Sequence, residues 1–183
     1  MRTRLAAAVT ALALTPQPPA SGPLSKEPSF AGVRAFYGPG DGIGSIDARL
    51  IDEARSSIDM AAYVLSDRAV VSALGRAAMR GVHIRVYLDG DQMAHSEHAV
   101  AAISATPNVE LRQKRRSGDL MHMKSFAVDR RILRSGSANF SVSGEEYQDN
   151  DLIVVESPEL ARGFSENFER LWARADNQRI GAR

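Results

Sequence analysis

Cysteine is absent from the 183-residue sequence. That gap removes disulfides, thiolate metal sites and a cysteine nucleophile together. Net charge is nearly absent as well, since 23 basic residues face 22 acidic ones for a formal +1. A chain so balanced cannot bind polyanions through bulk charge, so such contacts must come from local clusters. No apolar run reaches the length that spans a bilayer. Histidine is scarce, with four in the chain, and nothing sits at familiar zinc-ligand spacing, so no metal or cofactor is expected. What remains is globular: 44% hydrophobic and 25% charged residues, enough for one core and too little for two full domains.

The chain divides by composition. Arg2 and Arg4 precede an apolar run from Leu5 to Leu14 and then a Pro/Ser/Gly-rich exit. Residues 1–22 therefore read as a secretory signal peptide, with candidate cleavage after Ala13 or Ala20 and a periplasmic or secreted destination. Residues 23–30 form a linker, 31–176 a catalytic domain and 177–183 a tail. A strand is expected at Ala31–Tyr37, and Ile46, Leu50, Ile51, Ala54 and Ile58 recur at helical spacing. Ile58–Leu65 reads as a buried strand, with Ser66 as N-cap of a helix bearing Val70, Val71, Leu74, Ala77 and Ala78. Val82–Leu88 alternates apolar and polar residues, which fits a half-exposed strand or a helix. A helix near Ser96–Ser104 and strands at Val109–Arg112, Met121–Val128, Ile132–Arg134 and Leu152–Glu156 follow. Ser157-Pro158-Glu159 then opens a helix with a capping hydroxyl, a first-turn proline and an acid at the positive dipole end. Its stripe of Leu160, Phe164, Phe168, Leu171 and Trp172 belongs to the core. Alternating strands and helices predict an α/β sandwich, a mixed sheet flanked by helices.

The chemistry concentrates between His122 and Asn139: His122-x-Lys124, Asp129, then Gly136-Ser137-Ala138-Asn139. Residues two apart in a strand share a face, so an imidazole and an ammonium point together while Met121, Met123 and Ser125 point away. A glycine ahead of Ser137 and Asn139 lets the backbone turn sharply and approach a ligand. Ammonium, amide and hydroxyl donors converging near an imidazole suit a tetrahedral phosphate with spread negative charge. An imidazole, mostly neutral near pH 7, can serve as nucleophile at phosphorus. Spacing alone supports a phosphate-binding strand and loop.

This six-position pattern resembles the phospholipase D superfamily. The likeness extends from about Val33 to Trp172, including the segments SSIDMAAYVLSD and AAMRGVHIRVYLDG. It implies metal-independent phosphodiester cleavage through a phosphohistidine. By that resemblance His122 is the nucleophile, Lys124 and Asn139 hold the nonbridging oxygens, Ser137 assists, and Asp129 fixes the motif without touching substrate. Relatives often place an acid beyond the glycine loop to orient the histidine, and Asp149, Asn150 and Asp151 are all candidates for that register. Most relatives carry two such motifs; here His83, His95 and His98 have no lysine two positions on. The small bacterial nuclease branch supplies the second motif by homodimerisation, which is the expectation here.

Lys114, Arg115 and Arg116, with Arg130, Arg131 and Arg134 beyond the motif, form the main basic concentration. Flanking the motif on both sides, they are expected to line a groove for a polyanionic backbone with little base specificity. His95 and His98 read as solvated helix positions. Three functions compete: an endonuclease of low sequence specificity on DNA or RNA, a phospholipase or phosphatidyltransferase, and a noncatalytic DNA-binding or uptake module. The intact motif counts against pure binding, and the absence of a long apolar loop beside it counts against lipid.

Overall fold

A computed structural model describes residues 29–181, so the leader expected at 1–22 lies outside the described residues. Among the described residues, the strands form one mixed nine-stranded sheet in the order β1-β2-β8-β7-β6-β3-β4-β5-β9. Chain order runs β1 (Ser29–Phe30), β2 (Val33–Tyr37), α1 (Ile43–Asp52), β3 (Ser57–Ala62), α2 (Arg68–Met79) and β4 (His83–Leu88). Then come α3 (Met93–Ile103), β5 (Val109–Gln113), β6 (Lys124–Val128), β7 (Ile132–Gly136), β8 (Asp151–Glu156), α4 (Pro158–Trp172) and β9 (Gln178–Ile180). A single π-helical turn covers Ser143–Tyr147.

β3, β4 and β5 run parallel, joined through α2 and α3 as crossover connections require. β6 returns antiparallel against β3, with Lys124 opposite Ala62. The sheet separates two cores. Ile58, Met60, Ile84, Val86, Phe126 and Val154 face the layer of α1, α2 and α3. Ala61, Tyr87 and Ala127 face α4 together with Phe164, Phe168 and Trp172. The expected sandwich is therefore present, helices on both faces and strands alternating between them.

Local expectations shifted where long-range contacts intervened. The cap of α2 is Asp67 rather than Ser66, its carboxylate accepting from the backbone of Ala69 at 2.7 Å and Val70 at 3.0 Å. Val82–Leu88 is neither helical nor half-solvated. As β4 it lies between two neighbours, and Arg85 is held by Asp59 and Glu169 at 2.7 Å each, against the Phe168 and Trp172 rings. Residues expected as a tail contribute β9, which pairs with β5. Ser157 caps α4 as expected, accepting from Leu160 at 3.3 Å.

Candidate active site at the carboxyl edge of the parallel strands

The register places the motif at one edge of the sheet. Lys124 lies opposite Ala62, the last residue of β3, and Gly136 ends β7 beside Leu152 near the start of β8. The loops after β3, β4, β5 and β7 therefore converge on that edge, the usual place for a ligand in sheets of this kind. β6 begins at Lys124, so His122 stands just before the strand rather than within it. The expected sidedness still holds, because Met121 and Met123 pack toward α4 while the His122 and Lys124 side chains meet the same tyrosine.

That tyrosine is Tyr63. Its ring lies 4.5 Å from the His122 ring, edge to face, and 4.5 Å from Lys124 Nζ. Its backbone N–H donates to the Met123 carbonyl at 2.8 Å, fixing it between the two side chains. Lys124 Nζ donates to the His122 carbonyl at 2.9 Å. Burial, with no carboxylate bridged to it among the described residues, lowers the Lys124 ammonium from 10.5 to about 8. The His122 side chain is exposed at the mouth. Asp89, itself buried, accepts from the Met121 N–H at 2.6 Å and anchors the segment that presents His122.

The glycine loop is built as tightly. A Cβ on Gly136 would sit 2.3 Å from the Asp151 carbonyl, so the glycine serves close packing against β8. Ser137 Oγ donates to the Asp151 carboxylate and accepts from the Asp151 N–H at 2.9 Å. Among the three candidates, Asp151 thus grips the serine, Asn150 donates to the Gly144 carbonyl at 2.8 Å, and Asp149 is exposed. Asn139 Oδ1 is buried with no hydrogen-bond partner among the described residues. The same is true of both Glu145 oxygens on the π turn, and burial raises that carboxyl from 4.5 to about 9.

Arg134 does not join a basic groove. Its side chain is fully buried, paired with buried Asp47 at 2.5 Å and stacked over Phe140 at 4.4 Å. It donates to the Lys124 carbonyl at 2.7 Å and the Ala138 carbonyl at 3.3 Å, tying the two halves of the motif together. Asp129, with Arg130 and Arg131, occupies the opposite end of β6, so the arginines do not flank the site on both sides. Asp129 Oδ1 accepts from Ser56 N at 2.7 Å, Ser56 Oγ at 2.8 Å and Ser57 N at 3.0 Å, while Oδ2 accepts from Arg55 N at 3.0 Å. Those bonds outweigh desolvation and hold its carboxyl below the usual range. Lys114, Arg115 and Arg116 do follow β5 at the site edge, partly committed: Lys114 to the Asp119 carbonyl, Arg115 to Asp176 at 3.6 Å, and Arg116 to the Gly90 carbonyl at 2.9 Å.

Sequence reasoning missed Tyr63, Asp89 and Asp47, and it assigned Arg134 to the groove. Tyr63 and Asp89 carried a faint signal, as polar-tipped residues just past the carboxyl ends of apolar strands. The Arg134–Asp47 pair carried none, its members lying 87 positions apart.

The family model described as cardiolipin synthase, PLD-like domain, matches residues 48–172. A mitochondrial cardiolipin hydrolase of Danio rerio is 31% identical over 74% of the chain, which spans 60% of that protein. A phospholipase D of Rickettsia felis is 29% identical over 74% of the chain and 67% of its own length. The crystal structure of Nuc from Salmonella typhimurium, a phospholipase D family member, superposes with a TM-score of 0.75 at 25% identity, covering 82% of this chain and 98% of that one. The chain belongs to the phospholipase D superfamily of phosphodiester hydrolases, in its Nuc-like branch.

Proposed function

We propose that the protein is an endonuclease of low sequence specificity, cutting DNA or RNA through a phosphohistidine on His122 in an active site shared by two copies of the chain. The observation that carries this reading is the pairing of His122 and Lys124 on Tyr63 at one open edge, with Arg134 tying the glycine loop to Lys124 and a single imidazole in a reaction that needs two. In the first step a His122 ring nitrogen attacks phosphorus and an N–P bond forms. The P–O bond to the leaving nucleotide breaks, and that oxygen takes a proton from the second copy's His122. In the second step this neutral imidazole removes a proton from water, the water oxygen attacks phosphorus, and the N–P bond breaks to restore both histidines. Lys124 and the Asn139 amide stabilise the nonbridging oxygens, where charge develops. Ser137 and Asp151 hold the loop that carries Asn139. Asp129 acts through the fold alone.

A second reading has a specific observation behind it. Leu120, Val142 and Tyr147 are exposed near the motif at 49%, 41% and 72%. Apolar side chains there suit acyl chains, and relatives carry phospholipase and cardiolipin hydrolase names. Parallel incubation with DNA, RNA and labelled cardiolipin in excess EDTA separates the two. Nicked and shortened nucleic acid with intact lipid is the expected result; headgroup release with intact nucleic acid reverses the assignment, and turnover that needs added divalent metal contradicts the mechanism.

A further inference from the structure

We propose that the cleft between α2 and α3 is a second phosphate subsite, holding a flanking phosphate of a nucleic-acid strand while His122 works on another; this rests on the nuclease reading above. The cleft, of about 510 Å³, is lined by Ser66, Arg68, Ser72, His95 and His98 over an apolar floor that includes Val71. Every polar side chain in that lining can donate a hydrogen bond, and among the described residues no carboxylate lines it. Arg68 makes no ion pair among the described residues, unlike Arg76 and Arg80 farther along α2 and just beyond it, which share Asp52. Asp67 is turned inward to cap the helix, so its charge does not oppose an anion from the cleft wall.

The walls are fixed, and the fixing contacts lead to the catalytic edge. Ser96 Oγ on α3 accepts from the Leu65 N–H at 3.1 Å, locking α3 to the loop that enters α2. Ser66 and Asp67 donate their backbone N–H groups to the Phe140 carbonyl at 2.7 and 3.0 Å, next to Asn139. Tyr63, which touches the His122 ring, precedes Ser66 by three positions, a stretch of at most about 11 Å. A strand engaged at His122 carries a phosphate at every nucleotide, with a rise of about 3.4 Å each in a duplex, so one a few nucleotides away meets the cleft. A forked guanidinium, two imidazoles and two hydroxyls suit a phosphate oxyanion. They suit a metal poorly, since no group of three His, Cys, Asp or Glu able to hold one occurs among the described residues.

The test uses Arg68→Glu and the double variant His95→Ala/His98→Ala. All three positions are exposed on helices; glutamate is favourable in a first helical turn and alanine within a helix, so folding is retained and circular dichroism checks it. Turnover is measured on a single-stranded oligonucleotide of roughly 20 nucleotides and on bis(p-nitrophenyl) phosphate, which has no flanking phosphate to bind. The expected result is a KM for the oligonucleotide raised about tenfold by each variant, with kcat and small-diester turnover unchanged. An unchanged oligonucleotide KM, with the small diester still cleaved, overturns the subsite. Failure of the unaltered protein on both substrates sinks the catalytic reading instead. In that event oligonucleotide anisotropy decides the subsite alone: tenfold weaker binding by Arg68→Glu supports it, and equal binding overturns it. Variants that lose affinity for anionic vesicles while keeping it for oligonucleotide assign the cleft to lipid, and also overturn it.

Discussion

The two ends of β6 carry parts of the same motif and treat their polar groups in opposite ways. At the far end the Asp129 carboxylate is saturated by donors from Arg55, Ser56 and Ser57, and its proton affinity drops accordingly. At the near end Lys124 is desolvated to about 8 without a carboxylate bridge, and Asn139 Oδ1 is buried without a partner. Buried polar groups normally find partners, and an unpartnered one costs stability. One end spends its hydrogen bonds on the fold, while at the other the Lys124 ammonium makes one bond, to the His122 carbonyl, and has donors left over.

Paired substitutions break or sharpen this contrast. His122→Ala is expected to lower turnover by a thousandfold or more with an unchanged melting temperature, because its side chain is exposed. Asp129→Ala should do the reverse, costing about 2–4 kcal/mol in urea unfolding while the folded fraction keeps its kcat. Swapped outcomes would invert the assignment of the two ends. Next in size is the pH response of Lys124. Its ammonium gives up its proton near pH 8, so kcat/KM should fall as pH rises through about 8. Lys124→Arg should move that limb upward while costing kcat; a limb that stays put would attribute the titration to another group.

Much of this was legible in the sequence, and the misses at the site share one cause. The Phe164, Phe168 and Trp172 part of the α4 stripe, the Ser157-Pro158 start and the alternating faces of β6 are local patterns that appear in the structure, whereas Leu160, expected in the core, is 54% exposed at the first turn of the helix. The motif showed which side chains meet, because strand periodicity places His122 and Lys124 on one side. Periodicity says nothing about partners far along the chain. Arg134 therefore looked like a surface cation, although β7 turns it inward to Asp47. The flanking basic groove failed for the same reason, since the three-residue turn Asp129-Arg130-Arg131 lies at the wrong end of the sheet. Asp129 and Arg130 both adopt positive φ there, of 52° and 51°, the backbone of a tight hairpin turn. Asp149, Asn150 and Asp151 were candidates to orient the histidine; the register of β7 against β8 instead makes Asp151 the partner of Ser137.

The smallest expected effect concerns Glu145. Its folded carboxyl stays protonated to about 9, whereas in the unfolded chain it ionises near 4.5. The unfolded state therefore holds fewer protons between those values, and this group's contribution to stability falls as pH rises from about 4.5 to 9. Glu145→Gln should raise the melting temperature by a few degrees at pH 8 and leave it unchanged near pH 4. An equal gain at both would show that the effect does not come from titration of this carboxyl.

The need for two imidazoles from two chains is tested most directly by co-expressing unaltered protein with His122→Ala in equal amounts and purifying the mixture. If every working site draws one histidine from each copy, random pairing leaves about one quarter of full specific activity. A value of about one half, linear in the unaltered share, would mean that each chain cleaves alone and would contradict the account.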